Sequence, residues 1–407
     1  MASTLTFEYS VRDRGGKIVS GKLEAESQAA VVSKLRQMGF APLSVEQTNT
    51  GLSREITLPS LGAKVKTKDL AVMARQFATM IQSGLSLLRA LTILTDQTEN
   101  KALAKTLRTV RGDVESGQAL SVALGKHTKV FPPLMVNMVR AGEVGGFLDA
   151  VLLQVAANFE AEVKLRSKIK SAMTYPIVVF VIAILAVIGM LLFIVPVFQK
   201  MFADFDSQLP APTQFLVMLS GAMKVLAPVL FVLFIVFIVV WSRVKHDIRV
   251  RNVVDPIKFK IPVFGLLFRK VALSRFARNL GTMLASGVPI LQALDIVAET
   301  TGNVVLERAV REVQDSVRRG ESLSRPLEHH AVFPPMVVQM MAVGEDTGAL
   351  DTLLGKISEF YDQEVEATTE SLTALIEPIM IAFLGGTIGS MIIALYMPIF
   401  KLMDVVK

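Results

Sequence analysis

One carboxylate motif occurs twice in the chain. Gly142-Glu143-Val-Gly-Gly146-Phe-Leu148-Asp149 returns as Gly344-Glu345-Asp-Thr-Gly348-Ala-Leu350-Asp351. Acids beside glycines can cap helix N-termini, meet the donors of a partner, or hold a divalent cation. The glycines permit a sharp turn. Asp149 and Asp351 suit a helix start, where the dipole favours negative charge. Gly142, Glu143, Gly146, Leu148 and Asp149, with Gly344, Glu345, Gly348, Leu350 and Asp351, are therefore the candidate partner-binding positions. Other carriers of chemistry are few. The chain has no cysteine, which excludes disulfides, cysteine–metal sites and thiol catalysis. His127, His246, His329 and His330 fall into no metal-ligand spacing. There is no GxSxG and no GxxxxGK[ST], so P-loop nucleotide hydrolysis is not encoded. The reading is a non-enzyme with no catalytic residue, cofactor or metal site.

The motif belongs to a longer repeat. Arg75-Gln-Phe-Ala-Thr-Met-Ile-Gln-Ser-Gly84 recurs as Arg278-Asn-Leu-Gly-Thr-Met-Leu-Ala-Ser-Gly287 at an offset of 203. Phe131-Pro132-Pro133 recurs as Phe333-Pro334-Pro335 at 202, so one residue was lost after Gly117 and Gly320. Pro176 matches Pro378, and Pro196-Val-Phe198 matches Pro398-Ile-Phe400. A duplicated unit that is part soluble and part apolar points to a membrane-anchored scaffold.

Composition agrees. Mean hydropathy is +0.50, yet 19% of residues are charged. Three uncharged runs are long enough for a hydrocarbon core of about 30 Å: Ile177–Phe198, Val225–Trp241 and Pro378–Phe400. Lys164, Arg166, Lys168 and Lys170 precede the first. After the second, residues 242–270 hold eight Lys or Arg, among them Arg243, Lys245, Arg249 and Arg251, against two Asp, nearly the whole net charge of +7. Aromatic stacking platforms are sparse there, so nucleic acid is not the expected partner. Basic residues beside a span mark its cytoplasmic side and face anionic lipid. This places residues 1–170 and 242–374 in the cytoplasm and 199–223 outside; parity then sends the third span outward. The start lacks a basic region followed by an apolar core, so no signal peptide is read. Glu377, opposite Tyr175 in the repeat, reads as an interfacial cap or bundle contact, and Gly385 and Gly389 have GxxxG spacing.

The soluble parts must position the motif. Phe7–Val11, Ile18–Leu23 and Leu43–Glu46 read as strands, with a turn at Asp13-Arg14-Gly15-Gly16 and a helix capped by Ser27. Each repeat reads as helical: Asp69–Ser83, Leu87–Thr95, Lys101–Ser116 and Pro133–Ala141 in the first, each ended by glycine or a polar turn. Leu148, Leu152, Val155, Phe159 and Val163 then form an apolar stripe, echoed by Leu350, Leu354, Ile357, Tyr361 and Val365. The fold class is mainly α: a polytopic membrane protein with two like helical bundles, three spans and a small α+β N-terminal domain. Its expected divisions are 1–50 (N-terminal domain), 51–67 (linker), 68–172 (first bundle), 173–198 (first span) and 199–223 (external loop). There follow 224–241 (second span), 242–270 (basic segment), 271–374 (second bundle), 375–400 (third span) and 401–407 (external tail).

The pattern Arg…Ser-Gly…Phe-Pro-Pro…Gly-Glu…Gly-x-Leu-Asp, twice over, resembles the type II secretion system protein F and type IV pilus platform family. So do Leu209-Pro210-Ala-Pro-Thr213, Ile261-Pro262-Val-Phe-Gly265 and the N-terminal Gly15-Gly16-Lys17…Leu35-Arg36…Gly39…Pro42. The resemblance implies an oligomeric inner-membrane platform that contacts a hexameric assembly ATPase, pilins or pseudopilins and other inner-membrane assembly proteins. The rival from another class is a small oligomeric permease, disfavoured by the scarcity of intramembrane charge.

Overall fold

The computed structural model describes residues 5–12, 18–25, 27–47, 64–203, 210–245, 247–262 and 264–405. The turn expected at 13–16 lies outside them, as does most of the linker. The chain divides into two compact units, residues 1–62 and 63–407.

In the first unit β1 (Leu5–Arg12), β2 (Ile18–Ala25) and β3 (Ala41–Gln47) form an antiparallel sheet in the order β2-β1-β3. Helix α1 (Gln28–Gln37) starts at Ser27, whose hydroxyl accepts from the Ala30 N–H at 3.3 Å. Val31 and Leu35, one turn apart, bury themselves against Phe7, Val11 and Val45.

The second unit is helical throughout its described residues. The first repeat runs α2 (Thr67–Gln82), α3 (Leu87–Gln97), α4 (Lys101–Glu115), α5 (Leu120–Gly125), α6 (Pro133–Gly145) and α7 (Leu148–Gly189). A π-helical segment (Met190–Ile194) and α8 (Val195–Ala203) continue it, and α9 (Ala211–Val244) and α10 (Ile248–Lys260) connect it to the second repeat. There α11 (Phe264–Ala285), α12 (Ile290–Thr300), α13 (Val304–Arg318), α14 (Ser324–Glu328), α15 (Pro335–Thr347) and α16 (Leu350–Val405) follow the same plan. In each repeat the opening helix packs on the long closing helix: α2 on α7, α11 on α16. The hydrophobic core is one cluster shared by both repeats, and Phe276 meets Phe333 edge to face at 5.2 Å.

Three helices are long and apolar enough to cross a membrane: Leu148–Met201, Ala211–Val244 and Leu350–Phe400. Two of them begin in the bundles. Helix α16 has 56 residues, roughly 80 Å at 1.5 Å per residue, and joins bundle to span without a break. Pro176 and Pro378 lie inside α7 and α16, where they remove a backbone donor but do not end the helix. The segment 199–223, expected as a loop, is helical up to Ala203 and from Ala211. Mostly apolar flanks, with Lys200 in the last turn of α8 where the helix dipole favours a cation, let both helices extend past the expected ends.

Near the far ends of the spans, buried hydroxyls donate to backbone carbonyls. Ser220 Oγ donates to Leu191 O at 2.5 Å, inside the π-segment, and Thr213 Oγ1 donates to Ala394 O. A π-turn shifts the backbone ladder by one residue, and in an apolar surrounding its carbonyl needs a donor. Beyond this, Val225–Val240 of α9 is exposed on every side within the chain.

The glycines of the repeated motif divide the work. Gly146 and Gly348 adopt φ of +76° and +70° and end α6 and α15. Gly142 was expected to end its helix; instead it sits within α6, one turn earlier. A Cβ there would lie 3.0 Å from Val151 Cγ2 and 3.1 Å from Leu148 Cα, so the residue sets the approach of α6 to α7. A Cβ at Gly344 would likewise lie 3.0 Å from Leu350 Cα. The Gly142→Ala variant is expected to lose about 1–3 kcal/mol through overpacking. Gly112→Ala, at an open position in the last turn of α4, is expected to gain up to about 0.5–1 kcal/mol. Thermal unfolding of the detergent-solubilised chain, with the two variants side by side, checks both signs.

Candidate functional site

The two motif glutamates turn back onto backbone N–H groups of a preceding short helix. Glu143 reaches from the last turn of α6 to the start of α5, where its two oxygens accept from the Leu120 and Ser121 N–H groups, the latter at 2.9 Å. Glu345 does the same for α14: it accepts from Leu323 N–H at 2.7 Å, Ser324 N–H at 3.3 Å and Ser322 Oγ at 2.7 Å. A short helix leaves its first N–H groups without intrahelical partners, and a carboxylate aimed at them satisfies both the hydrogen bonds and the dipole. The expectation that Gly142-Glu143 opens the next helix is corrected accordingly. The pair closes the preceding helix, and α5 and α14, which periodicity did not reveal, are what the glutamates hold. Leu148 and Leu350 are half-buried against the core. Asp149 is exposed in the first turn of α7. Asp351 lines a cavity of about 320 Å³ between α7, α11 and α16, beside Asn158, Arg278 and Ser358.

A second repeated device joins opening and closing helices. Arg75 forms a two-pronged pair with Glu160, Nε to Oε1 at 2.6 Å and Nη2 to Oε2 at 2.5 Å. In the second repeat Arg278 pairs with Asp362, at 2.5 Å to Oδ1, while Ser274 Oγ donates to the same oxygen at 2.5 Å. The hydrogen bonds from Arg75 hold the Glu160 carboxyl below the usual carboxylate range, against a smaller upward push from burial. The arginines stood out in the repeat. Their partners were legible too, since Asp362 follows Glu160 at the repeat offset of 202.

The two repeats meet along α7. Asn158 Nδ2 donates to Asn279 Oδ1 at 3.2 Å, Arg275 Nε to Glu162 Oε2 at 3.0 Å, and Lys168 pairs with Glu366. Leu165 is buried with Leu267, Val365 and Leu372. Helix α7 thus fills the groove between α11 and α16.

The basic positions split into two kinds. Lys168 is engaged by Glu366. Arg251 lies between Asp255, at 3.6 Å, and Glu307, at 3.4 Å. The buried Asp255 also accepts from Val304 N–H at 3.2 Å, so α10 is docked on the second bundle as a start-cap for α13. Lys164, Arg166, Lys170, Arg243, Lys245 and Arg249 are exposed. Tyr175 and Glu377 line one narrow crevice between α7 and α16. A Cβ at Gly385 or Gly389 would meet no heavy atom within 4 Å, so no described helix packs closely on the GxxxG face.

Two like bundles, each merging through one unbroken helix into an apolar span, define a membrane-embedded scaffold protein. Its relatives fit that class. The type II secretion system protein F family matches residues 73–196 and again 276–398, and that family's N-terminal domain matches residues 1–46. The chain is 44% identical to the type IV pilus assembly protein PilC of Myxococcus xanthus, over 100% of this chain and 97% of that one. It is 43% identical to the PilC of Thermus thermophilus, over 97% and 98%. It is 33% identical to the type II secretion system protein F of Vibrio cholerae, over 97% and 98%. The chain belongs to the type II secretion system protein F family.

Removing either glutamate strands buried donors. Glu143→Ala is expected to destabilise by about 2 kcal/mol, with amide-exchange protection lost first at Leu120 and Ser121. Glu345→Ala is expected to do the same at Leu323 and Ser324. Mass-spectrometric hydrogen exchange of the full chain in detergent reads both; unchanged protection in α5 and α14 would contradict the capping role.

Proposed function

We propose that the chain is an inner-membrane platform of a type IV pilus or type II secretion machine, coupling a cytoplasmic hexameric assembly ATPase to the assembly of pilin or pseudopilin filaments. One observation carries the reading. Both bundles continue rigidly into spans, in a chain of a family whose relatives are named for pilus assembly and secretion. A force applied to a bundle would reach the bilayer through α7 or α16 without passing a flexible joint. The sequence lacks a nucleotide loop, so energy would come from a partner.

The divisions at 68–172 and 271–374 then serve as the cytoplasmic bundles, with 173–198, 224–241 and 375–400 as spans. The N-terminus is placed in the cytoplasm on the positive-inside argument. The platform is read as a homo-oligomer. The faces of α9 left bare at Val225–Val240 suit lipid or neighbouring assembly proteins.

Orientation is directly measurable because the chain has no cysteine. In whole cells a membrane-impermeant maleimide is expected to label Ser207→Cys and to spare Lys105→Cys, with the reverse in inverted vesicles. Loss of the chain is expected to abolish surface filaments or secretion while filament subunits persist in the membrane. The full chain is expected to retain the assembly ATPase in detergent pull-downs. If a strain lacking the chain assembled filaments normally, the platform reading would fail.

A further inference from the structure

The contact between the two repeats is one-sided, and this leaves an unfilled copy of it. In the second repeat the groove between α11 and α16 holds α7. The corresponding groove of the first repeat, between α2 and α7, holds no segment among the described residues. It is an open trough of about 570 Å³ lined by Val72, Arg75, Gln76, Val163 and Lys164, with no residue of α16 on its walls. Corresponding positions show what filling does. The Arg278 side chain is 9% exposed and its counterpart Arg75 is 40% exposed. Val365 is buried and Val163 only half-buried. Val72 stands open at 49%, where its counterpart Arg275 binds Glu162 of α7.

The stripe that α7 lays into the second groove is Gln154, Asn158, Ala161, Leu165 and Lys168. Carried forward by the repeat offset of 202, it becomes Lys356, Phe360, Gln363, Ala367 and Glu370 on α16. All five are exposed and lie along one helical stripe, with Lys356 paired to Glu359 one turn away. Phe360, an aromatic ring 41% exposed, takes the place of Asn158. The charges invert in step. Inside the chain Lys168 of α7 meets Glu366 of the groove. In the unfilled copy of the contact Glu370 would meet Lys164, with Lys68 on the adjoining wall. Neither Lys68 nor Lys164 has an ion-pair partner among the described residues, and neither has Glu370.

We propose that the α2–α7 trough of one chain receives the outer face of α16 from a second copy, repeating between chains the contact that joins the two repeats within one. The identity of the occupant rests on the oligomeric platform reading. The contact is head-to-tail, so it propagates until a ring closes. It is compatible with one membrane, because α7 and α16 both run from bundle to span in the same sense and the repeated step stays in the bilayer plane.

Two tagged forms of the full-length chain, co-expressed in membranes, test this without background thiols. Gln76→Cys in one and Phe360→Cys in the other correspond to the internal Asn279–Asn158 contact and are expected to form a disulfide in trans. Lys105→Cys, on α4, is the control expected not to react with Phe360→Cys. Glu370→Lys, an exposed change, is expected to reduce the trans cross-link severalfold, and adding Lys164→Glu to the partner chain is expected to restore it. Native mass spectrometry of the same samples gives the oligomeric state. Oligomers without the 76–360 cross-link, or a cross-link indifferent to the Glu370→Lys change, would overturn the proposed surface and leave the platform reading standing. A chain that is monomeric in the membrane would overturn both the surface and the oligomeric reading.

Discussion

The packing of α7 into the groove between α11 and α16 sets the geometry of the helical unit. It joins the repeats through Leu165 and its apolar neighbours, through the Asn158–Asn279 hydrogen bond and through the Arg275–Glu162 and Lys168–Glu366 pairs. Apolar burial supplies the non-directional attraction. The polar pairs supply register, since shifting α7 by one turn would leave half-buried charges opposite the wrong partners. Because α7 and α16 are also membrane helices, the same seam fixes how the first and third spans enter the bilayer. Bundle packing and span arrangement are therefore one problem with one solution.

Within each bundle the constraint is local and is solved twice in the same way. A glycine lets α6 or α15 approach the next helix, and a second glycine in the left-handed region ends it. The glutamate between them turns back to cap a short helix. The conserved geometry between repeats is a helix-terminus hydrogen-bond arrangement. This changes the meaning of the Gly-Glu…Gly-x-Leu-Asp motif. Its glutamates are committed to backbone donors, while Asp149 in the first repeat is exposed.

Docking of α10 shows how charge counting and charge placement diverge. The basic stretch at 242–270 reads as a lipid-facing segment, yet Arg251 and Lys258 gather around the buried Asp255, which caps α13. A buried acid needs partners, and the nearest cations provide them. Arg243, Lys245 and Arg249 stay exposed and keep the interfacial character that the positive-inside rule assigns them.

The sequence by itself determined the duplication, the three apolar segments, the helical character of each repeat, the Ser27 cap and the family. All of these rest on local pattern: residue spacing, hydropathy and the residues that helix ends require. Helix limits at Gly142, the helices α5 and α14, and the fusion of bundle helices with spans were not legible. A six-residue helix carries too little periodicity, and a helix interior with glycine looks like an end until the neighbour that needs the space is known. Only the tertiary structure decided that Glu143 and Glu345 turn back to cap α5 and α14, that Arg251 serves Asp255, and that one groove is filled while its twin is open. The caps depend on helices that meet across 21 to 23 residues of chain, and the filled groove on surfaces more than 100 residues apart; two near-identical local patterns carry no record of which one is covered.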